Sequence, residues 1–218
     1  MKLFEINPHA PSDEALTAAV EALREDKIIC YPTETLYGFG TNALSERACD
    51  RLNQIKERKP GQPFLMLILR NWAEDWIMEA MSAKPLLERF WEGGLTVVAT
   101  PPSRSHIPKW LLASDGGIAI RSASMELNIR MLEMCGFPIT STSVNQKDSP
   151  PLKKLDSADS WLAEVCDVAL DAGIIDCGLP STIVDIRKFP SELRILRRGV
   201  ISIEEITTEF PKTRIVTI

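Results

Sequence analysis

Three polar segments of this 218-residue chain have the residue types that bind small anions. The first, Tyr31 to Gly40, reads YPTETLYGFG and combines hydroxyl groups and glycines in a turn-rich connection between a predicted strand and a predicted helix. Loops of this kind carry function more often than packing. An ordinary connection, in which the glycines serve backbone conformation, explains the same residues. Both interpretations stay open for this segment.

Lys56 and Arg58 form a second candidate, at the predicted end of a helix. Cations at that position favourably meet the negative end of the helix dipole, which is a purely structural explanation. Pro60 and Gly61 follow directly and would hold both cations at a loop. There, a planar guanidinium fork and a compact ammonium suit phosphate. We therefore interpret this turn as a candidate anion site.

The third segment, Pro138 to Asn145, reads PITSTSVN and puts a row of hydroxyl groups and one amide at the end of an apolar strand. Ligands of open α/β sheets prefer strand ends, although a Ser/Thr turn bonded to its own backbone has the same composition. Arg121 ends another predicted strand, and Arg197 follows the last one. Several cations are therefore expected to converge on one cavity.

Covalent and metal chemistry find little support in the sequence. The two histidines, His9 and His106, leave little room for a Ser-His triad. Neither a Walker loop nor a three-glycine dinucleotide fingerprint is present. The five cysteines form no C-x-x-C pair, so we interpret them as reduced thiols and expect no protein-bound metal.

Alternating helix and strand patterns must position these segments. Apolar residues recur at helical spacing after Ser12 and after Ser45, and apolar runs at 27–31 and 64–69 follow as strands. Further helices are predicted at 72–81, 84–90, 125–134 and 157–164, and further strands at 95–99, 117–121, 138–141, 167–171, 182–186 and 193–196. Without an internal repeat or linker, this order predicts one α/β domain over residues 1–218 with a mixed sheet.

Composition limits the class of protein. A formal net charge of -5 argues against a broad basic surface that coats nucleic acid, because phosphate neutralisation needs clustered Lys and Arg. No apolar stretch reaches the roughly 20 residues of a membrane-spanning helix, and the first nine residues lack the pattern of a signal peptide. We expect a cytoplasmic protein without membrane contact.

In their order and spacing, these motifs resemble the YrdC-like family of threonylcarbamoyl-AMP synthases, in its short form. YPTETLYGFG resembles the family's YPT-[DE]-T-x-YG-L-G, Lys56 to Arg58 its K-x-R, and Gly93 to Thr96 its P-G-P-x-T. Thr142 to Asn145 resembles T-S-A-N, Ser181 to Asp185 resembles S-T-V-V-D, and Leu196 to Gly199 resembles I-R-P-G.

The resemblance implies a fold, a set of binding residues and a reaction. The fold would be a twisted mixed sheet with flanking helices and an open, positively charged cavity. Lys56 and Arg58 would be catalytic. ATP would be held by Lys56, Arg58, Gln62, Ser143, Asn145 and Arg197, and threonine by Thr33, Thr35, Arg121, Thr142 and Ser181.

In the family's chemistry, the threonine amine takes up CO2 from bicarbonate. The carbamate attacks the α-phosphate of ATP, supplied with Mg2+, and expels pyrophosphate. The product would pass to a transferase that modifies tRNA, with at most a weak contact between this chain and tRNA. Because the nucleophile comes from the substrate, such an enzyme needs no catalytic Ser or Cys.

The chain also departs from the family pattern. Gln146-Lys147-Asp148 stands where the family commonly has a small hydroxyl residue and a glycine after the T-S-A-N motif, and Leu67 stands where many members have a histidine. One alternative is therefore a diverged paralogue that binds nucleotide or RNA without synthase activity. An RNA-binding module and a generic α/β domain are the others.

Overall fold

The computed structural model describes residues 1–58, 62–103, 107–147, 149–155 and 160–218. The helices are α1 (Asp13–Arg24), α2 (Glu46–Ile55), α3 (Ala73–Trp76), α4 (Lys84–Phe90), α5 (Glu126–Cys135), α6 (Ser160–Val165) and α7 (Ile203–Glu209). The strands are β1 (Lys2–Glu5), β2 (Ile29–Pro32), β3 (Tyr37–Gly40), β4 (Leu65–Ile68), β5 (Leu95–Ala99), β6 (Ile118–Ser122), β7 (Ile139–Thr140), β8 (Thr142–Ser143), β9 (Val168–Asp171), β10 (Thr182–Asp185), β11 (Glu192–Arg197) and β12 (Arg214–Thr217). The predicted α/β class is confirmed.

The strands divide between two mixed sheets, where the sequence suggested one. The first sheet has the order β1-β9-β2-β3-β8, and the second has the order β12-β11-β10-β5-β6-β4-β7. The chain crosses between them at Ser141, because β7 pairs with β4 of the second sheet and β8 pairs with β3 of the first. The hydroxyl-rich segment thus joins the two sheets.

Local chemistry explains where the longer helices begin. The hydroxyl of Ser12 accepts a hydrogen bond from the Ala15 amide at the start of α1, and Ser45 caps α2 through the Ala48 amide in the same way. Each helix buries its apolar stripe. Both N-terminal predictions are confirmed.

Two predicted elements differ from the structure. The predicted helix at 72–81 is helical only as far as Trp76, because Ile77 is buried in an extended conformation and the Met78 amide donates to Thr100. The connection Tyr31 to Gly40 contains strand β3, which forms an antiparallel hairpin with β2. The predicted start of the helix at 157–164 lies outside the described residues.

The hydrophobic core contains buried residues of both sheets. One buried cluster includes Cys30 and Phe39 from the first sheet together with Val97 and Ile120 from the second. A second cluster packs α1 and α5 against the sheet residues. In the part of the chain that the structure describes, every helix is too short or too polar to cross a bilayer.

Candidate functional site

A cavity of about 440 Å³ lies between the two sheets, beside the crossover at Ser141. Its volume falls within the range of small-molecule sites. Residues of both sheets line it, including Gly38 of β3, Leu65 of β4 and Ala119 of β6. It is also lined by eight residues that the sequence predicted for the site: Thr33, Thr35, Arg58, Arg121, Thr142, Ser143, Ser181 and Arg197.

Three other predicted site residues, Lys56, Gln62 and Asn145, are not among the described lining residues. Gln62 is exposed. The ammonium of Lys56 donates to the backbone oxygens of Ser143 and Asn145, at 3.0 and 2.8 Å, and to Asn145 Oδ1 at 2.8 Å. Because an ammonium has three donors, all of them are used to join the end of α2 to the segment after β8. Pro60 and Gly61, which the sequence placed beside this turn, lie outside the described residues.

Arg58 is partly buried at the cavity wall. Its guanidinium lies over the ring of Phe64, 4.5 Å from the centroid, and Nη2 donates to the Pro63 carbonyl at 2.8 Å. Nε is buried and has no hydrogen-bond partner among the described residues. A guanidinium stacked and oriented in this way keeps donor capacity for an anion.

Arg121 is buried at the cavity and heads a chain of hydrogen bonds. Nη1 donates to Thr35 Oγ1 at 2.8 Å, and the Thr35 and Thr33 hydroxyls are 3.1 Å apart. The Thr33 hydroxyl also lies 2.7 Å from the Leu36 carbonyl, which can only accept. Arg121 therefore donates to Thr35, Thr35 donates to Thr33, and Thr33 donates to the Leu36 carbonyl. This chain fixes the rotamers of both threonines.

Thr33 has a largely structural position within this chain. Its hydroxyl oxygen also accepts from the amides of Thr35 and Leu36, at 3.3 and 3.2 Å. Such a turn, closed by its own hydroxyl, is the structural interpretation of the segment. The Thr33 hydroxyl therefore has little capacity left for a ligand. The Thr35 hydroxyl accepts one hydrogen bond, from Arg121, and donates one, to Thr33, so it can still accept from a ligand.

Arg197, the last residue of β11, is held by Ser181, the residue before β10. Its Nη2 donates to the Ser181 carbonyl and hydroxyl, at 2.9 and 3.0 Å, and Nε donates to the same carbonyl at 3.1 Å. The Ser181 hydroxyl in turn lies 2.7 Å from the hydroxyl of Thr96, which is fully buried. The end of β11 is thereby joined to the start of β10.

The cavity carries an excess of positive charge, although Arg121 is paired with the carboxylate of Glu34. Its described lining residues include Arg58, Arg121 and Arg197 and no carboxylate. Burial lowers the pKa of Arg58, and burial together with the nearby Arg121 lowers that of Arg197. Burial and the charge of Arg58 lower the pKa of Lys56 to about 8. A bound anion would relieve this mutual repulsion.

Glu34 and Thr96 contact the site residues, although the sequence motifs assigned neither a role. Glu34 pairs with Arg121, and Thr96 with Ser181. Thr96 ends the Gly93 to Thr96 motif, and Glu34 is the acid between two threonines in the YPTETLYGFG segment. Its partner lies 87 residues away, so local spacing could not identify the pair.

A family model supports the resemblance inferred from the motifs. The Sua5/YciO/YrdC model, whose description reads telomere recombination, matches residues 21–199. This range contains every predicted site residue.

Two curated relatives are named threonylcarbamoyl-AMP synthase. The one from Pyrococcus abyssi (strain GE5 / Orsay) is 30% identical over 196 residues, which cover 88% of this chain and 56% of the relative. The one from Escherichia coli O9:H4 (strain HS) is 31% identical over 149 residues, which cover 66% of this chain and 76% of the relative. The chain thus spans little more than half the length of the archaeal relative.

Solved structures have the same fold. The crystal structure of P. abyssi Sua5 complexed with L-threonine matches 99% of this chain and 62% of its own, with a TM-score of 0.85 and 27% identity. E. coli YciO matches 96% of this chain and 100% of its own, with a TM-score of 0.83; at 22% identity it supports the fold alone. On the match to its family model and these relatives, the chain belongs to the Sua5/YciO/YrdC family.

Proposed function

We propose that this chain is an L-threonylcarbamoyladenylate synthase, a nucleotidyltransferase that converts L-threonine, bicarbonate and ATP into threonylcarbamoyl-AMP and pyrophosphate for tRNA modification. One observation carries the proposal: three arginines from separate parts of the chain line one cavity that has no carboxylate among its described lining residues. The reaction joins a carbamate to a triphosphate, and such a pair of anions needs this arrangement of charge.

The threonine side of the cavity is proposed to be Arg121 with Thr35, Thr142 and Ser181. Arg121 lines the cavity and would attract the substrate carboxylate through its positive charge. Thr33 would act indirectly, through the rotamer of Thr35. A crystal structure of the related P. abyssi Sua5 contains L-threonine, which supports this substrate.

The ATP side is proposed to consist of the lining residues Arg58, Ser143 and Arg197, together with Lys56, Gln62 and Asn145, which are not among the described lining residues. Arg58 and Arg197 line the cavity and would neutralise phosphate charge. Lys56 holds Ser143 and Asn145 together, so a direct contact with ATP would require it to exchange one of three hydrogen bonds. Its first proposed action is therefore to position the segment that binds the nucleotide.

Mg2+ is proposed to enter with ATP as part of the substrate, where it screens phosphate charge. Among the described residues, no three His, Cys, Asp or Glu side chains group together as a metal site would require. The chain's own contribution to the triphosphate is then its cations and hydroxyl groups.

The chemistry proposed for this cavity needs orientation more than a protein nucleophile. The threonine nitrogen, as the free amine, forms a bond to the carbon that bicarbonate supplies as CO2. The proton that the nitrogen loses combines with the hydroxide given up by bicarbonate to form water. A carbamate oxygen then bonds to the α-phosphorus of ATP as the bond to the bridging oxygen of pyrophosphate breaks. Arg58 and Arg197 would stabilise the charge on the departing oxygen. Holding both reactants in one cavity can contribute roughly 7 kcal/mol.

The product is proposed to pass to a tRNA threonylcarbamoyl transferase, with at most a weak contact between this chain and tRNA. A cytoplasmic location and a single domain over residues 1–218 remain part of the same proposal. They agree with a tRNA-modifying role but rest on the sequence.

The test is pyrophosphate release from MgATP, with a coupled pyrophosphatase, in the presence and absence of L-threonine and of bicarbonate. We expect release that depends on both compounds. Arg58→Gln and Arg197→Gln should lower kcat/KM by about 100-fold each, as expected when a donor to developing charge is removed. Release that is independent of threonine would contradict the proposal.

A second candidate is the diverged paralogue, favoured by one observation. Lys147, in the altered segment after Asn145, forms an ion pair with Glu57 at 3.0 Å, between the two turns that Lys56 also joins. If the chain with this ion pair has lost the synthase activity, ATP will bind without threonine-dependent turnover. Tight ATP binding together with no release would favour the paralogue over the synthase.

A further inference from the structure

Glu34 lies between the cavity and helix α5 and makes more polar contacts than a turn requires. Its side chain is 20% exposed and that of Arg121 is 4% exposed. The carboxylate uses both oxygens, one toward Arg121 and one toward the chain that leads into α5. We propose that Glu34 is the positioning residue that orients Arg121 for the carboxylate of threonine, an inference that rests on the proposed function.

Glu34 supplies the negative charge that Arg121 needs. A buried guanidinium needs a counter-ion, because transfer of an unpaired charge from water is costly. Glu34 Oε2 accepts from Arg121 Nη2 at 2.8 Å. The other Arg121 contacts, at Thr35 Oγ1 and the Gly93 carbonyl, are neutral acceptors. Among the described residues, Glu34 is the acid that forms an ion pair with Arg121.

Glu34 also helps to fix the orientation of the Arg121 guanidinium. The two Nη atoms of Arg121 are used by Glu34, Thr35 and Gly93, which come from two separate segments of the chain. The plane of the guanidinium is therefore fixed, and Nε remains without a partner among the described residues. A fixed fork loses little rotational freedom when it binds a carboxylate.

Glu34 is itself held in place by the start of α5. Its Oε1 accepts from the Ser124 hydroxyl at 2.5 Å and from the amides of Ser124 and Met125 at 3.0 and 2.8 Å. Met125, the N-cap residue of α5, makes no capping bond with its side chain. Glu34 thus satisfies amides at the N-terminus of α5, where a negative charge is favoured. The helix holds the carboxylate, and the carboxylate holds the arginine.

The test compares Glu34→Gln with a matched control, Asp26→Asn. A glutamine at position 34 keeps the size but turns an amide donor or a weaker acceptor toward Arg121. Asp26 is equally shielded, at 19% exposed, and pairs with Arg47 at the same 2.8 Å, but Arg47 lies outside the cavity lining.

We expect Glu34→Gln to raise the KM for threonine at least about tenfold, the effect of losing one charge-assisted hydrogen bond. The KM for ATP should change less than about threefold, and Asp26→Asn should keep both constants near those of the wild type. Glu34→Asp, which retains the charge, should recover part of the threonine affinity. Equal losses for threonine and ATP, or no change, would overturn the positioning role.

A second readout does not depend on turnover. In the wild type, the Nη–H protons of Arg121 should give separate NMR signals, assigned with Arg121→Lys, because its guanidinium is fixed. In Glu34→Gln they should broaden or merge, while Asp26→Asn leaves them unchanged. If the wild type released no pyrophosphate, the proposed function alone would fail. Unchanged Arg121 signals in Glu34→Gln would instead overturn the inference about Glu34.

Discussion

At the scale of single residues, the cavity combines groups that bind with groups that orient them. Thr35 accepts a hydrogen bond from Arg121 and donates one to Thr33. The Thr33 hydroxyl donates to the Leu36 carbonyl within its own turn. The Lys56 ammonium donates its hydrogen bonds to the segment that contains Ser143 and Asn145. The predicted residues therefore share one neighbourhood but differ in what they can offer a ligand.

Thr35→Val removes the hydroxyl that joins Arg121 to Thr33 while keeping the shape of the side chain. Arg121 Nη1 then loses its partner, and a buried donor without a partner is unfavourable. We expect the KM for threonine to rise about tenfold with little change in the KM for ATP. Steady-state kinetics with each substrate varied in turn measures both. Equal increases would show that the cavity is divided differently.

The pKa of Lys56, about 8, predicts a pH dependence of ATP binding. Above that pH the group loses its charge, its hydrogen bonds to Ser143 and Asn145 weaken, and ATP affinity should fall between pH 7.5 and 9.5. Titration calorimetry measures this. In Lys56→Met the decrease should disappear, with weak binding throughout; a wild-type affinity that does not depend on pH would argue against the role of Lys56.

Stability should respond to the same group in the opposite direction. In the unfolded chain Lys56 returns toward its ordinary pKa of 10.5, so that the unfolded state binds more protons between pH 8 and 10.5. The contribution of Lys56 to folding therefore becomes more favourable as pH rises through that window. Denaturant unfolding of the wild type and Lys56→Met across this range isolates the difference.

At the scale of elements, the site depends on close approach between strand ends. A Cβ added to Gly199 would lie 2.3 Å from the Pro180 carbonyl oxygen and 2.4 Å from the Ser181 carbonyl carbon, which are backbone atoms. Only a glycine therefore lets the chain after β11 lie against the segment that carries Ser181. This contact sets the position of Arg197.

Gly199→Ala should separate these two segments, with a loss of about 2 kcal/mol of stability and a clear loss of pyrophosphate release. Gly136→Ala is the control. Gly136 has a φ of +74° and no atom within 4 Å of an added Cβ, so it should cost about 1 kcal/mol of backbone strain and leave activity intact. Chemical denaturation and the release assay together distinguish the two. Full activity in Gly199→Ala would show that Arg197 does not depend on this contact.

At the scale of the whole molecule, an acidic chain surrounds a cationic cavity. The formal net charge is -5, yet Arg58, Arg121 and Arg197 all line one cavity. The buried cluster that contains Phe39 includes residues of both sheets. The cavity walls are thus parts of the same core.

Phe39→Ala should cost about 3–5 kcal/mol and shift one cooperative unfolding transition as a whole, as the predicted single domain requires. Scanning calorimetry checks this through the ratio of calorimetric to van't Hoff enthalpy. Met81→Ala, at a position that is 67% exposed, should change stability by less than about 0.5 kcal/mol. Two transitions, only one of which shifts in Phe39→Ala, would indicate separate units.

The sequence by itself determined the α/β class and the starts of α1 and α2, and eight of its eleven predicted site residues line the cavity. These features depend on neighbours a few positions apart: the helical spacing of apolar side chains, the caps Ser12 and Ser45, and hydroxyl groups or cations at strand ends. The helix predicted as far as residue 81 failed because the burial of Ile77 in an extended conformation depends on distant packing.

Only the tertiary structure decided how these groups are paired. Glu34 and Arg121 are 87 residues apart in sequence, and Lys56 lies 87 residues from Ser143. The division into two sheets follows from β8 pairing with β3 instead of continuing beside β4. Strand partners and buried ion pairs depend on which segments become neighbours when the chain folds, and a local pattern of residue types does not contain that information.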